Sequence, residues 1–259
     1  MFGRLFGKKK ESKPFSYIES IPDGIRTSIL NAVGARNIPT MPGAAQRAFQ
    51  LSVNPKAEAR DFISLIESDE ALSARVVKIA NSVFFDRGQQ SKTIEQSVLV
   101  IGINELKSLL NATTLSEIFP TQSKIRPYLW SHDIGVAIAT RTLCERVLPN
   151  QREIGFLAGL MHDIGKLLLL QRTTSDYAKV IETVEQTGCD FTEAEYESYP
   201  FNHTHVGQLI AEKWNFTEEL IHAIRYHHED IFQLPDKYPI TRLVHAGDVI
   251  AHSLALGHQ

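Results

Sequence analysis

Cysteine is scarce in this chain, with two residues, Cys144 and Cys189, among 259. Their wide separation and unlike surroundings exclude a disulfide framework, a zinc ribbon and a Cys-x-x-Cys redox pair. They fit a reducing compartment, so a cytoplasmic location is expected. Long apolar runs are missing too. The stretches "KLLLL" and "SVLVIGI" fall well short of the roughly 20 residues that span a bilayer, and no cleavable signal is recognised at the start. No membrane span is expected, and the sequons at Asn111, Asn202 and Asn215 read as coincidence. An excess of one charge is also absent. The formal net charge is −3 with acids and bases interspersed, which excludes the electrostatic footprint of a nucleic-acid binder. One basic cluster stands out, the opening "MFGRLFGKKKESKP" with Phe2, Leu5 and Phe6 ahead of Lys8, Lys9 and Lys10. Interrupted by glycines, it reads as a disordered tail over residues 1–17 rather than a membrane anchor.

Strict alternation of apolar and polar residues is likewise rare, so no sheet is required. From Ile18 onward apolar residues recur at three-to-four spacing, the period of an α-helix. In "DFISLIESDEALSARVVKIANSVFF" two helices are predicted, parted at Ser68-Asp69-Glu70, where a capping side chain and acids suit a helix N-terminus. Leu72, Val76, Ile79 and Val83 are the predicted buried stripe of the second. Thr93 and Gln96 have capping-box spacing, Gly102 ends that helix, and Asn104 is predicted to cap the next. The pattern lapses through "PTQSKIRP", whose two prolines disfavour a helix across it. A subdomain boundary is placed there, giving residues 18–122 and 123–259.

Histidine is absent from the first of these halves and abundant in the second. All ten, at positions 132, 162, 203, 205, 222, 227, 228, 245, 252 and 258, follow the boundary. The bland explanation is accident plus surface histidines. The sharper one is a metal-binding half joined to a structural or interaction half. "GLMHDIGKLLLL" embeds His162 and Asp163 in one of the most apolar segments of the chain, and a carboxylate buried there must be paired or bind a metal. Read as one continuous helix, it puts the two side chains about 100° apart and Lys166 one turn beyond His162. "YLWSHDIGVA" supplies His132 near a helix start, "NHTHVG" supplies His203 and His205, and "AIRYHHED" supplies His227 and His228. "RLVHAGDVIAHSL" spaces His245, Asp248 and His252 along one helical stripe. Imidazoles and carboxylates without thiolates suit iron, manganese, zinc, nickel or a similar divalent ion.

Taken in order, "IPTMPGAAQRAFQL", "IESDEALSARVVKIANSVFF", "TIEQSVLVIGINELKSLL", "LWSHDIGVA", "FLAGLMHDIGKLLL", "HTHVGQLIAEKWNF" and "AIRYHHED" resemble the HDOD proteins. These are bacterial signalling relatives of the HD-domain metal-dependent phosphohydrolases, and the resemblance spans nearly the whole chain. It implies an all-α fold, with an N-terminal helical bundle packed on an HD-type helical subdomain. It also implies one metal surrounded by His132, His162, Asp163 and Asp248. A second would be surrounded by His203, His227 and His228, with Asp163 bridging the two. His203 rather than His205 matches because the related motif has its histidine four residues before the glycine, here Gly207. Hydrolysis, if present, would fall to Asp163 and to Lys166, which in active HD-GYP relatives helps to hold a substrate phosphate.

Two departures bear on activity. No Gly-Tyr-Pro follows "HHED", where "IFQLPDKYP" stands instead, and Tyr128 occupies the place of a glutamate that some of those enzymes carry. The expectation is a signalling or regulatory module with a retained metal site of one or two ions, acting through protein partners in trans. Phe84 and Phe85 are the expected contact. The alternative is a metal-dependent phosphohydrolase acting on a nucleotide or cyclic dinucleotide.

Overall fold

The computed structural model describes residues 18–54, 56–82, 91–120 and 123–257. The tail at 1–17, Val83, Phe84, Phe85 and His258 lie outside the described residues. Among those described there is no strand. The first half contributes α1 (Asp23–Val33), α2 (Gly43–Val53), α3 (Ala59–Glu67), α4 (Glu70–Ala80), α5 (Ile94–Ile101) and α6 (Ile103–Ile118). The second contributes α7 (Arg126–Val147), α8 (Arg152–Met161), α9 (Ile164–Arg172), α10 (Thr174–Thr187), α11 (Phe191–Ser198), α12 (His203–Lys213), α13 (Glu218–Tyr226) and α14 (Pro239–Ser253). The fold is all-α, and no helix among the described residues is long and apolar enough to cross a membrane.

Local chemistry accounts for many of the boundaries. Asp69 caps α4 by accepting a hydrogen bond from the Leu72 amide, and Thr93 with Gln96 forms a capping box on α5. Pro127 stands in the first turn of α7, where a missing N–H costs nothing. Two expectations are corrected. Gly102, with φ of 87°, both ends α5 and precedes α6, so Asn104 lies inside α6 rather than capping it. The buried stripe of α4 is Leu72, Val76 and Ala80, while Ile79 is only partly buried. Two sequon asparagines face inward: Asn111 hydrogen-bonds Ser52 Oγ at 3.0 Å, and Asn202 caps α12.

The apolar side chains form two clusters. The smaller joins α3, α4 and α5 with Leu106 and Leu110 of α6 and Ala48 of α2. The larger runs through α7 to α14 and also takes in Ile29 and Val33 of α1, Phe49 of α2, and Ala112, Leu115 and Phe119 at the α6 end. Thus α6 and α2 are walls shared by both, with adjacent residues Ala48 and Phe49 turned to different cores. Polar clasps add to this packing. The Trp214 indole donates to the Pro39 carbonyl at 2.9 Å, and Tyr226 Oη accepts from the Glu19 amide at 2.9 Å.

Candidate metal centre

The His162-Asp163 pair does not lie within a helix. α8 ends at Met161 and α9 begins at Ile164, so the two residues form the break between them. The difficulty posed by a continuous helix therefore disappears, because each side chain is aimed separately. Two glycines set where the break sits. A Cβ on Gly159 would come within 2.8 Å of the Ala137 Cα, so only glycine lets α8 lie this close to α7. A Cβ on Gly165 would fall 2.0 Å from the His203 carbonyl oxygen, so only glycine lets α9 touch the start of α12. Those two approaches bring His132 of α7 and His203 of α12 to the same carboxylate.

Asp163 is the hub. Its Oδ1 lies 3.1 Å from His203 Nε2 and 3.5 Å from His227 Nε2. Its Oδ2 lies 2.6 Å from Lys166 Nζ, 3.3 Å from His162 Nε2 and 3.8 Å from His132 Nε2. Asp248 approaches from α14, with Oδ1 3.0 Å from His132 Nε2 and 3.9 Å from His162 Nε2. His228 completes the group on the other side, its Nε2 3.1 Å from that of His203. All seven candidate ligands, His132, His162, Asp163, His203, His227, His228 and Asp248, are thus gathered around one region, and Lys166 stands against it.

The rings are held from behind. His132 Nδ1 is 3.1 Å from the Leu256 carbonyl, His162 Nδ1 is 2.7 Å from that of Gly159, and His227 Nδ1 is 3.0 Å from that of Ile224. A carbonyl only accepts, so each neutral ring carries its proton on Nδ1 and turns the Nε2 lone pair inward. His203 uses a side chain instead. Glu195 Oε2 accepts from both its Nδ1, at 2.8 Å, and its backbone amide, at 2.7 Å, while Tyr177 donates to Oε1 at 2.6 Å. Imidazoles oriented in this way, with carbonyls or carboxylates behind them, are the usual supports of metal ligands.

The interior demands positive charge. His132 Nε2, His162 Nε2, Asp163 Oδ1 and Asp248 Oδ1 are buried and make no hydrogen bond. Burial alone would raise the Asp163 carboxyl, but His162, Lys166 and His203 outweigh it and hold the group well below its ordinary value. Burial likewise works against a charged His162, yet Asp163 beside it lifts that ring to about 9. On the far side burial dominates, pushing His227 down to about 4 and His228 well below the usual histidine value. A proton on His162 and a divalent cation answer the same need, positive charge between imidazole nitrogen and carboxylate oxygen. The donor set fits a divalent transition metal. Groups able to hold an ion are Asp163, His203, His227 and His228; His132, His162 and Asp163; and His132, Asp248 and His252.

Three residues outside the expected ligand set belong here. His252 Nε2 lies 3.4 Å from Asp248 Oδ1, one helical turn along α14. That spacing was visible in the sequence. Glu195 was not, since nothing in "FTEAEYES" distinguishes it from Glu193 or Glu197. Asp133, beside His132, is fully buried, and burial pushes its carboxyl up to about 6. His205 stays apart, placed between Asn202 Oδ1 at 2.9 Å and the Arg225 guanidinium at 3.1 Å. His245 supports the site indirectly, its Nδ1 2.8 Å from the His227 carbonyl.

Comparison assigns this helical fold, with its buried His/Asp cluster, to a family. The model of the HDOD domain matches residues 38–230, so the chain belongs to the HDOD family. An HDOD domain protein of unknown function from Geobacter sulfurreducens superposes with a TM-score of 0.74 at 26% identity, over 90% of this chain and 80% of that one. A candidate signal transduction protein from Marinobacter aquaeolei VT8 gives a TM-score of 0.77 at 24% identity, over 90% of this chain and 56% of the other. A candidate phosphohydrolase from Shewanella amazonensis SB2B gives 0.69 at 24%, over 88% of this chain and 81% of that one. Among curated proteins, an uncharacterized protein of Treponema pallidum (strain Nichols) is 22% identical over 207 residues, 78% of this chain. The chain spans 39% of that relative's length.

Proposed function

We propose that this chain is a regulatory module of a signalling pathway, in which a retained metal site stabilises the second half and a protein partner reads the surface. The observation that carries this reading is the fate of Lys166. A lysine that holds a substrate phosphate must present its ammonium to a cleft. Here the ammonium lies 2.6 Å from Asp163 Oδ2 and 4.2 Å from the centre of the Phe191 ring, and the residue is 3% exposed. Asp163 and Glu195 outweigh burial and hold Lys166 above its ordinary value, so it stays charged and committed to the interior. When bound, a divalent cation would supply charge neutralisation among the carboxylates, and His203, His227, His228 and Asp163 would hold it.

A protein partner is further supported by an open, mainly apolar groove between α4 and α6, of about 850 Å³, lined by Ala74, Lys78, Ile79, Leu109 and Thr113 among others. Contiguous apolar surface of this kind is a common mark of interfaces. The two free cysteines, one buried, suit the cytoplasm. The test pairs elemental analysis of purified protein with a screen of nucleotides and cyclic dinucleotides for metal-dependent turnover. The expected result is bound metal without turnover, together with partner capture. Metal-dependent hydrolysis of a cyclic dinucleotide would overturn this reading in favour of a phosphohydrolase.

A further inference from the structure

Asp163 has two oxygens, and the fold commits them to different neighbours. Oδ1 makes no hydrogen bond and faces His203 and His227 at 3.1 and 3.5 Å. Oδ2 is taken by the Lys166 ammonium at 2.6 Å, with His162 and His132 further off at 3.3 and 3.8 Å. The ammonium takes one lone pair of Oδ2, and a cation set on the other would face a buried positive charge 2.6 Å from the same oxygen. Asp163 is therefore poorly placed to bridge two cations. It has one oxygen left to give.

The other side of the cluster offers a replacement. Asp248 Oδ1 is buried, makes no hydrogen bond, and lies 3.0 Å from His132 Nε2 and 3.4 Å from His252 Nε2. Ligand atoms of His132, Asp248 and His252 all fall within 4.8 Å of one another. His132 has a single nitrogen to offer, because its Nδ1 is engaged with the Leu256 carbonyl at 3.1 Å. For an ion taking that nitrogen with Asp248 and His252 to bind Asp163 Oδ2 as well, Lys166 would have to give up its 2.6 Å bond to that oxygen. Resting on the metal reading above, we infer that the chain has two separate cation sites in place of one carboxylate-bridged pair. The inner site is Asp163 Oδ1, His203, His227 and His228. The outer site is His132, Asp248 and His252, with His252 as a ligand.

The two sites differ in access. The His252 side chain is 40% exposed, whereas those of Asp163, His203 and His227 are at most 2%. Each site has one partly exposed ligand, His228 in the inner and His252 in the outer, while the other inner ligands are closed to solvent. The test uses the full chain reconstituted anaerobically with Mn(II), counted by elemental analysis and read by electron paramagnetic resonance. The wild-type chain is expected to bind two ions whose spectrum is that of isolated Mn(II), without exchange coupling. His252→Ala, a change on a half-exposed helix face, is expected to keep the wild-type circular dichroism and lose one of the two ions. A single wild-type ion, an exchange-coupled pair, or a folded H252A chain that keeps both ions would overturn the inference. A wild-type chain that binds no ion overturns the metal reading beneath it as well.

Discussion

Replacing Gly165 by alanine tests how the site is assembled, because that position has the tightest approach to it. The added Cβ would stand 2.0 Å from the His203 carbonyl oxygen, 2.8 Å from its carbon and 2.9 Å from the Gly207 amide nitrogen. All three atoms belong to backbone, so no rotamer change relieves them. Ordinary contact begins near 3.4 Å, and α9 must therefore draw away from α12 by more than 1 Å. Overpacking of this kind costs about 1–3 kcal/mol and occasionally more, and a backbone clash belongs at the upper end. For a chain of this size each kcal/mol moves Tm by roughly 2–4 °C, so a fall of roughly 6–12 °C is expected. The same displacement acts on Asp163, two residues before Gly165, and on His203, opening the 3.1 Å approach of Oδ1 to Nε2. Metal content should fall with Tm. Gly24→Ala, in α1 with nothing within 4 Å of its Cβ, is the control and should be neutral or slightly stabilising. Melts followed by circular dichroism, with parallel elemental analysis, measure both. A Gly165→Ala chain that melts within about a degree of wild type and keeps its metal would refute the reasoning.

Burial, with Arg225 adding to it, pushes His205 down to about 4, against about 6.5 when unfolded. Its neutral form is the folded one, so its contribution is complete above pH 6.5 and is lost as pH falls toward 4. Buried Asp133, lifted to about 6, works in the opposite direction, which makes the comparison with a variant the informative one. His205→Gln is expected to flatten the acid-side decline in Tm of chelated protein between pH 6.5 and 4; parallel curves would count against it. Asp163→Asn should lower total bound metal more than His205→Gln, and equal losses in elemental analysis would show the ligands to be misassigned. Leu110→Ala, at a buried position on α6, should cost about 2–5 kcal/mol, read as a depressed urea midpoint. An unchanged midpoint would mean that the smaller core is not integral to folding.

Much of the helical order was legible because its signals are local. Capping at Asp69 and the Thr93-Gln96 box depend on side chains within three residues of the amides they bind. The break at His162-Asp163 was not legible, for "GLMHDIGKLLLL" contains neither proline nor a polar turn, and its apolar pattern runs through the interruption. Its position is set by the close approaches at Gly159 and Gly165, contacts with α7 and α12 that no window of sequence contains. Asn104 illustrates the reverse error, a good capping residue displaced because Gly102, at a φ of 87°, makes the junction two positions earlier. His252 stood in plain view one turn after Asp248, while Glu195 gained its meaning from Tyr177 and His203, neighbours the fold supplies.

The way the imidazoles are braced bears on how this site tolerates change. His132, His162 and His227 lean on main-chain carbonyls, which every amino acid provides, so the residues at 256, 159 and 224 can differ without withdrawing the acceptor. His203 leans on a carboxylate that one residue type at one position provides. Substitution near the first three rings is therefore filtered by shape alone, whereas position 195 is filtered by chemistry. The inner half of the cluster thus has a single point of failure, and it lies on a helix that contributes no ligand.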